Sequence, residues 1–242
     1  MSRPQISNFD ASQIPSIDAD DFAVELEELA SPAIAQIEAE MKAMPHLQAD
    51  RRLELPGIER SYLDAQKIDQ AAAALQRIPG PTEALHLVVC GKFALWDLVP
   101  AVLRIASPAT IDTLRIATLG FSKTNVAELC QLLDAGGIRR VRLLASHYFK
   151  GTSRPIYQYA AEELAKRPAA AEFLSLRTHA KILLLQLIDG RTLTVEASAN
   201  LRSCANIEQV MLCGSPDLYA FHCRWIDDLF TAAKGAGHAE SS

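Results

Sequence analysis

The sequence predicts an α/β protein: a mixed, mostly parallel sheet flanked by helices, behind an acidic helical extension at the N-terminus. Three observations carry this. Short β-rich runs alternate with helical segments from about residue 83 onward, the pattern of a helix-covered sheet. Asp189-Gly190 stands between two apolar β-rich runs, which is a hairpin signature. Before residue 82 the apolar positions recur at helical spacing and prolines interrupt them, with no β pattern.

Residues 1–17 are polar and carry Pro4 and Pro15, so no element is expected there. From Asp18 to Met44, Phe22, Leu26, Leu29, Ile34, Ile37 and Met41 mark a helical face. Ser31-Pro32 divides it, as an N-cap followed by proline at the first helical position. A further helix is expected over Tyr62–Arg77, closed by Pro79-Gly80-Pro81. That break sets the boundary between an extension, residues 1–82, and a main domain, residues 83–242.

In the main domain His86–Cys90 reads as a strand, Phe93–Ile105 as a helix and Thr113–Thr118 as a strand. Lys123–Leu133 is a helix ending near Gly136-Gly137, and Val141–Ala145 a strand. Ser153–Ala165 is a helix and Glu172–Leu176 a strand. Then come the hairpin over Ile182–Val195, a strand over Glu208–Cys213 and a closing helix over Asp217–Ala233. No internal repeat is present.

Composition bounds the chemistry. With 49% hydrophobic and 22% charged residues over 242 positions, the chain is able to bury a full core. No apolar run approaches the roughly 20 residues that span a bilayer, so no membrane is expected as partner. The opening Met-Ser-Arg-Pro-Gln-Ile-Ser lacks the apolar stretch of a secretory signal, which makes the cytoplasm the expected location. The five cysteines are odd in number and form no C-x-x-C, which reads as thiols rather than disulfides or a zinc set. Cys213, His222 and Cys223 have no second pair to complete a metal site.

The net charge of −5 conceals a segregation. Residues 1–85 hold 7 Lys/Arg against 15 Asp/Glu, whereas the window 139–202 holds 11 basic residues against 5 acidic ones. A basic window of this kind fits a polyanionic substrate, and it equally fits a set of solvated faces.

Chemistry-bearing residues gather around the hairpin. If Asp189 and Gly190 alone form the loop, Ile188 lies opposite Arg191, Lys181 opposite Ser198 and His179 opposite Asn200. Directly opposed side chains share a face with Cβ atoms about 5 Å apart. Imidazole, ammonium, hydroxyl and carboxamide then meet at the open end of an apolar hairpin, with Glu208 following. On this register Glu196 lies opposite Leu183 on the same face, as a further site residue or as a structural partner for an arginine. The stretch His147-Tyr148-Phe149-Lys150-Gly151-Thr152-Ser153-Arg154 follows a predicted strand. Its aromatic, Lys150 and Arg154 either stack a base and grip phosphates, or pack as loop filler around a buried ring.

These residues carry a resemblance. His179-x-Lys181, Ser198-x-Asn200 and Asn206-x-Glu208 resemble the HKD motif of the phospholipase D superfamily, most of all its short, single-motif, nuclease-like members. Several of those are carried by phages and mobile elements. The resemblance covers roughly Ala84 to Gly214. Two positions depart from the pattern: Gln186 stands where the motif commonly has Asp, and Ala197 where it has Gly. The interval from Lys181 to Asn200 is also longer than the tight form.

The resemblance implies a metal-independent phosphodiesterase in which His179 attacks phosphorus to form a phosphohistidine that water then cleaves, with no cofactor. Lys181 and Asn200 would bind the nonbridging oxygens, and Glu208 would orient His179. Ser198, Lys150, Arg154 and Arg202 are the expected substrate-binding residues. The chemistry implied calls for two histidines and the chain has one motif, so a homodimer with the site on its two-fold axis is expected. The basic window and the lack of membrane features favour nucleic acid, DNA or RNA, over lipid. A protein partner is a further expectation for residues 1–82. The alternatives are a nucleic-acid-binding accessory protein that cleaves weakly or not at all, and a lipid phosphodiesterase.

Overall fold

The computed structural model describes residues 63–106, 110–202 and 206–239. The helices expected within 18–44 and the acidic residues among them lie outside the described residues.

Seven strands form one sheet in the order β1-β7-β6-β5-β2-β3-β4. They are β1 (Ala84–Cys90), β2 (Ile111–Thr118), β3 (Ile138–Ser146), β4 (Ala171–Leu176), β5 (Ile182–Leu187), β6 (Thr192–Ala197) and β7 (Ile207–Cys213). The helices are α1 (Ala65–Leu75), α2 (Leu98–Ile105), α3 (Lys123–Asp134), α4 (His147–Thr152), α5 (Arg154–Ala165) and α6 (Pro216–Ala239).

The α/β class holds, with one correction: the sheet is mostly antiparallel. Only β2–β3 and β3–β4 pair in parallel, while β1–β7, β7–β6, β6–β5 and β5–β2 pair antiparallel. The cause is insertion. β1, β6, β2, β3 and β4 all run in one direction, as strand–helix alternation predicts, but β5 slots between β6 and β2, and β7 between β1 and β6. Alternation along a chain fixes the direction in which strands run and leaves their neighbours open.

Both faces of the sheet are covered, unequally. Odd-numbered residues of β5, Leu183, Leu185 and Leu187, point into the larger core with Trp96, Leu98, Val99, Leu129 and Leu164. Even-numbered Ile182 and Leu184 point to the other face and pack with Tyr219, Ile226 and Phe230 of α6. This double coverage is why β5 opens on four consecutive apolar residues, Ile182–Leu185, rather than an alternating pattern. α1 lies before the Pro79-Gly80-Pro81 break, yet its Ala71 and Leu75 are buried in the larger core. Asp64 caps this helix by accepting from the N–H groups of Gln66 and Lys67.

The hairpin turn also differs from expectation. The loop has three residues, Ile188-Asp189-Gly190, not two. Leu187 donates its N–H to Arg191 O at 2.8 Å, and Gly190 sits at φ 90°. Glycine is required there because a side chain at that angle meets its own backbone. Such a loop, ending in a left-handed glycine, shifts the register by one residue relative to a two-residue turn. Ile182 therefore faces Glu196, and Ala197 donates to Lys181 O at 3.0 Å. Lys181 lies opposite Ala197 rather than Ser198.

Candidate active site

Direction, rather than the hairpin ladder, assembles the site. β1, β2, β3, β4 and β6 finish at one end of the sheet, where β5 and β7 begin. The segments 91–94, 119–122, 147–153, 177–181 and 198–202 thus emerge together. All eight predicted site residues belong to this end. Ligand sites commonly lie outside the carboxyl ends of strands for this reason.

His179 is exposed in the extended stretch before β5. Its Nδ1 accepts from the Lys181 ammonium at 3.0 Å, and the same ammonium donates to His179 O at 3.1 Å. An ammonium has protons only to give, so the neutral imidazole carries its own proton on Nε2. Lys181 is half-buried, and that burial lowers its pKa, with the Glu208 charge acting in the opposite sense.

Beyond Ala197 the backbone leaves the ladder in a bend, and Ser198 is held there by β7. Its N–H donates to Gln209 O at 3.0 Å and its Oγ accepts from Gln209 N–H at 3.0 Å. The same hydroxyl donates to Glu208 Oε2. Glu208 is therefore engaged by Ser198, and its role toward Lys181 is through charge; it makes no hydrogen bond to His179. Asn200 follows with its Oδ1 buried and without a hydrogen-bond partner among the described residues. Leu201, 2% exposed, drops into the core beside Trp96, whose backbone N–H donates to Leu201 O at 3.4 Å. This anchor fixes Asn200 from below.

The remaining predicted residues lie at the same end of the sheet. Arg202 and Arg154 are exposed and form no ion pair among the described residues, and Arg177, exposed just before His179, joins them. Lys150 lies 5.5 Å over the Tyr157 ring. The stretch expected as a loop after β3 is the short helix α4, capped by Ser146, which accepts from Tyr148 N–H at 3.3 Å. Phe149 is the buried ring, 4.7 Å from Phe121, whereas Tyr148 is 68% exposed and free to stack.

Two expectations are resolved differently. Glu196, facing Ile182 on the α6 side, binds no arginine among the described residues; its Oε1 accepts from His222 Nε2–H at 2.8 Å. Trp225 Nε1 donates to His222 Nδ1 at 3.0 Å, so a buried imidazole is held between helix and sheet. Second, the basic window divides between the two ends of the sheet. Lys150, Arg154, Arg177, Lys181 and Arg202 flank the site, while Arg139, Arg140, Arg142, Arg167 and Arg191 belong to the opposite end. Several of the latter are paired, Arg167 with Asp134 and Arg191 with Asp189 among them. The described residues include no cluster of three or more metal-ligating groups and no helix long and apolar enough to cross a membrane.

Comparison of the sequence with protein-family profiles and with curated proteins gives no match. Among solved structures the chain is similar to polyphosphate kinase from Porphyromonas gingivalis, at TM-score 0.46 and 11% identity, over 65% of this chain and 29% of that one. It is similar to Nuc, a phospholipase D family member from Salmonella typhimurium, at TM-score 0.42 and 17% identity, over 60% of this chain and 93% of that one. A third similarity is to yeast tyrosyl-DNA phosphodiesterase, at TM-score 0.33 and 16% identity, over 54% of this chain and 32% of that one. The chain spans less than a third of the polyphosphate kinase it matches and about a third of the yeast enzyme. Of these three, Nuc is the one described as a phospholipase D family member.

Proposed function

We propose that this chain is a metal-independent phosphodiesterase that cleaves nucleic-acid backbones through a phosphohistidine, at a site shared by two copies. The observation that carries the reading is an exposed imidazole joined to a half-buried ammonium, at the sheet end that also holds a buried carboxamide oxygen without a hydrogen-bond partner among the described residues. An amide oxygen only accepts, so Asn200 serves a phosphodiester's nonbridging oxygens through the N–H groups of its carboxamide.

The steps follow from the proton inventory. An anionic phosphodiester draws the Lys181 ammonium onto its nonbridging oxygen, which frees His179 Nδ1. The ring proton then moves to Nδ1, leaving the Nε2 lone pair to attack phosphorus as the P–O bond to the leaving alcohol breaks. That alcohol takes a proton from the partner subunit's His179, which acts in its imidazolium form and is left as a neutral ring. Water next attacks phosphorus as the P–N bond breaks, gives a proton to the partner subunit's His179 and releases the phosphate ester. Glu208, held by Ser198, balances the cationic charge that accumulates.

The surface next to the site supports a two-fold assembly. α6 packs on β2, β5 and β6 and leaves β1 and β7 open on that face. Val88 and Ile207 lie diagonally across the β1–β7 ladder and are each 76% exposed, next to Glu208. β1 is an edge strand with one unpaired side, and exposed apolar edges of this kind pair with another chain.

The test uses labelled single- and double-stranded DNA and RNA in excess chelator. Cleavage that persists with chelator and disappears in His179→Ala supports the enzyme, and light scattering supports the shared site if Val88→Glu/Ile207→Glu is monomeric and inactive. A binding protein without turnover is the second reading, favoured by the occupation of Nδ1 by Lys181; retained binding with no cleavage under all these conditions would establish it.

A further inference from the structure

The basic residues remote from His179 surround a cleft of about 250 Å³ between the starts of β2, β3 and β4, the end of β5 and the C-terminal part of α6. Arg115, Arg140, Arg142 and Lys234 line it, with Glu172 as the single lining carboxylate and Gln186 on its floor. At roughly 30 Å³ per water the space holds about eight waters, which is room for a phosphate group and its remaining hydration. Along β5, Gln186 stands five residues from Lys181, about 17 Å at 3.4 Å per residue. The cleft is separate from the candidate active site.

Its charges do not cancel. Arg115 donates to Asp227 from Nε at 2.7 Å and from a terminal nitrogen at 2.8 Å. Arg142 donates to Asp227 at 2.6 Å and to Glu172 at 2.9 Å. Lys234 pairs with Glu172 at 2.7 Å, while Arg139 and Arg140 share Asp112 at 3.7 and 2.6 Å. Among the described residues five cations thus meet three carboxylates, a surplus of two. Gln186 explains why. It faces Thr113 across the β2–β5 ladder and lies on the same sheet face as Arg115, diagonally across. A carboxylate at this position would be the natural fourth anion, and an amide stands there instead. Fixed guanidiniums in surplus, with donors left over and a cleft between them, are the arrangement that binds phosphate oxygens in forked pairs.

We propose that this cleft is a second, phosphate-binding site, formed by Arg115, Arg140, Arg142 and Lys234 and left open to an anion by the amide of Gln186. The phosphate belongs either to a small phosphorylated molecule or to a nucleic-acid strand running past the sheet end.

Calorimetric titration of the whole protein with inorganic phosphate and pyrophosphate tests this. Binding is saturable in the wild type and within twofold of that in His179→Ala. It is at least tenfold weaker in Gln186→Glu, which supplies the missing carboxylate and keeps partners for Arg115 and Arg142. Arg140→Ala/Lys234→Ala, whose native side chains are 61% and 65% exposed, weakens it by a similar factor and decides the matter if Gln186→Glu does not fold. Unchanged binding in the altered cleft, or loss of all binding in His179→Ala, overturns the proposal. In His179→Ala, displacement of pyrophosphate by a 20-nucleotide oligomer assigns the phosphate to a strand, and no displacement assigns it to a small ligand.

Discussion

Glu128 offers a pH experiment whose size follows from its surroundings. It lies in α3, 4% exposed, against Asp97, which is 5% exposed. Burial first, and the Asp97 charge second, raise its pKa to about 8, with Trp96 acting in the opposite direction. Burial also raises Asp97, while its Oδ2 accepts from Ala94 N–H at 2.6 Å. Glu128 is therefore a neutral acid in the folded protein at pH 7 and an ordinary carboxylate in the unfolded chain. A raised folded-state pKa means stability that is complete below about pH 4.5 and is lost as the pH climbs to about 8. The displacement from 4.5 to about 8 corresponds to a linkage of about 5 kcal/mol at 1.36 kcal/mol per unit. Water entry on ionisation reduces it, so about 2–4 kcal/mol is the expected loss. Glu128→Gln keeps the neutral shape and cannot ionise. Urea unfolding of both proteins from pH 5 to pH 9 reads the difference. The variant should match the wild type within about 1 kcal/mol at pH 5 and exceed it by about 2–4 kcal/mol at pH 9. A flat difference across that range refutes the assignment of a buried neutral carboxyl.

Three further outcomes follow from named contacts. Asp227→Ala leaves Arg115 and Arg142 without their shared carboxylate, and urea unfolding should show a loss of about 2–3 kcal/mol, below the fully buried case because Asp227 is 32% exposed. Gly214→Ala places a methyl group on the backbone carbonyls of Pro79 and Gly80, where no flexible side chain is available to move; the melting temperature should fall by the equivalent of about 2 kcal/mol or more. Ser198→Ala releases Glu208 and should lower kcat about tenfold with little change in KM, read by steady-state cleavage of a labelled oligonucleotide.

The parts of the fold legible in the sequence were those set by local period. Every strand and helix expected between residues 83 and 233 is present, most within three residues of the predicted limits, though the helix expected from Phe93 is α-helical only from Leu98 and the closing helix runs to Ala239. Neighbour relations were not legible. Placing β5 beside β2 and β7 beside β1 depends on which faces bury most surface, and no short stretch encodes that. The hairpin shows the same limit at finer grain: Asp189-Gly190 marks the turn, but Ile188 joins the loop and moves every cross-strand pair by one. The site residues nevertheless emerge at one end of the sheet, because strand direction alone brings the segments around His179 and Ser198 there. The engagement of Glu208 by Ser198, and of Glu196 by His222, depends on a bend and a distant helix respectively, which the linear spacing does not carry. The charge window misled for a related reason: β3 places Arg139 and Arg142 at its start and Lys150 just beyond its end, so neighbours in sequence face opposite ends of the sheet.

The central claim is that His179 bonds covalently to phosphorus, and a quench experiment addresses it directly. Protein mixed with a labelled oligonucleotide in excess chelator is denatured in alkali within the first turnover, digested and read by mass spectrometry. The account predicts an alkali-stable, acid-labile phosphoryl adduct on the peptide bearing His179, absent from His179→Ala. Cleavage that proceeds at full rate without any adduct on that peptide would contradict it.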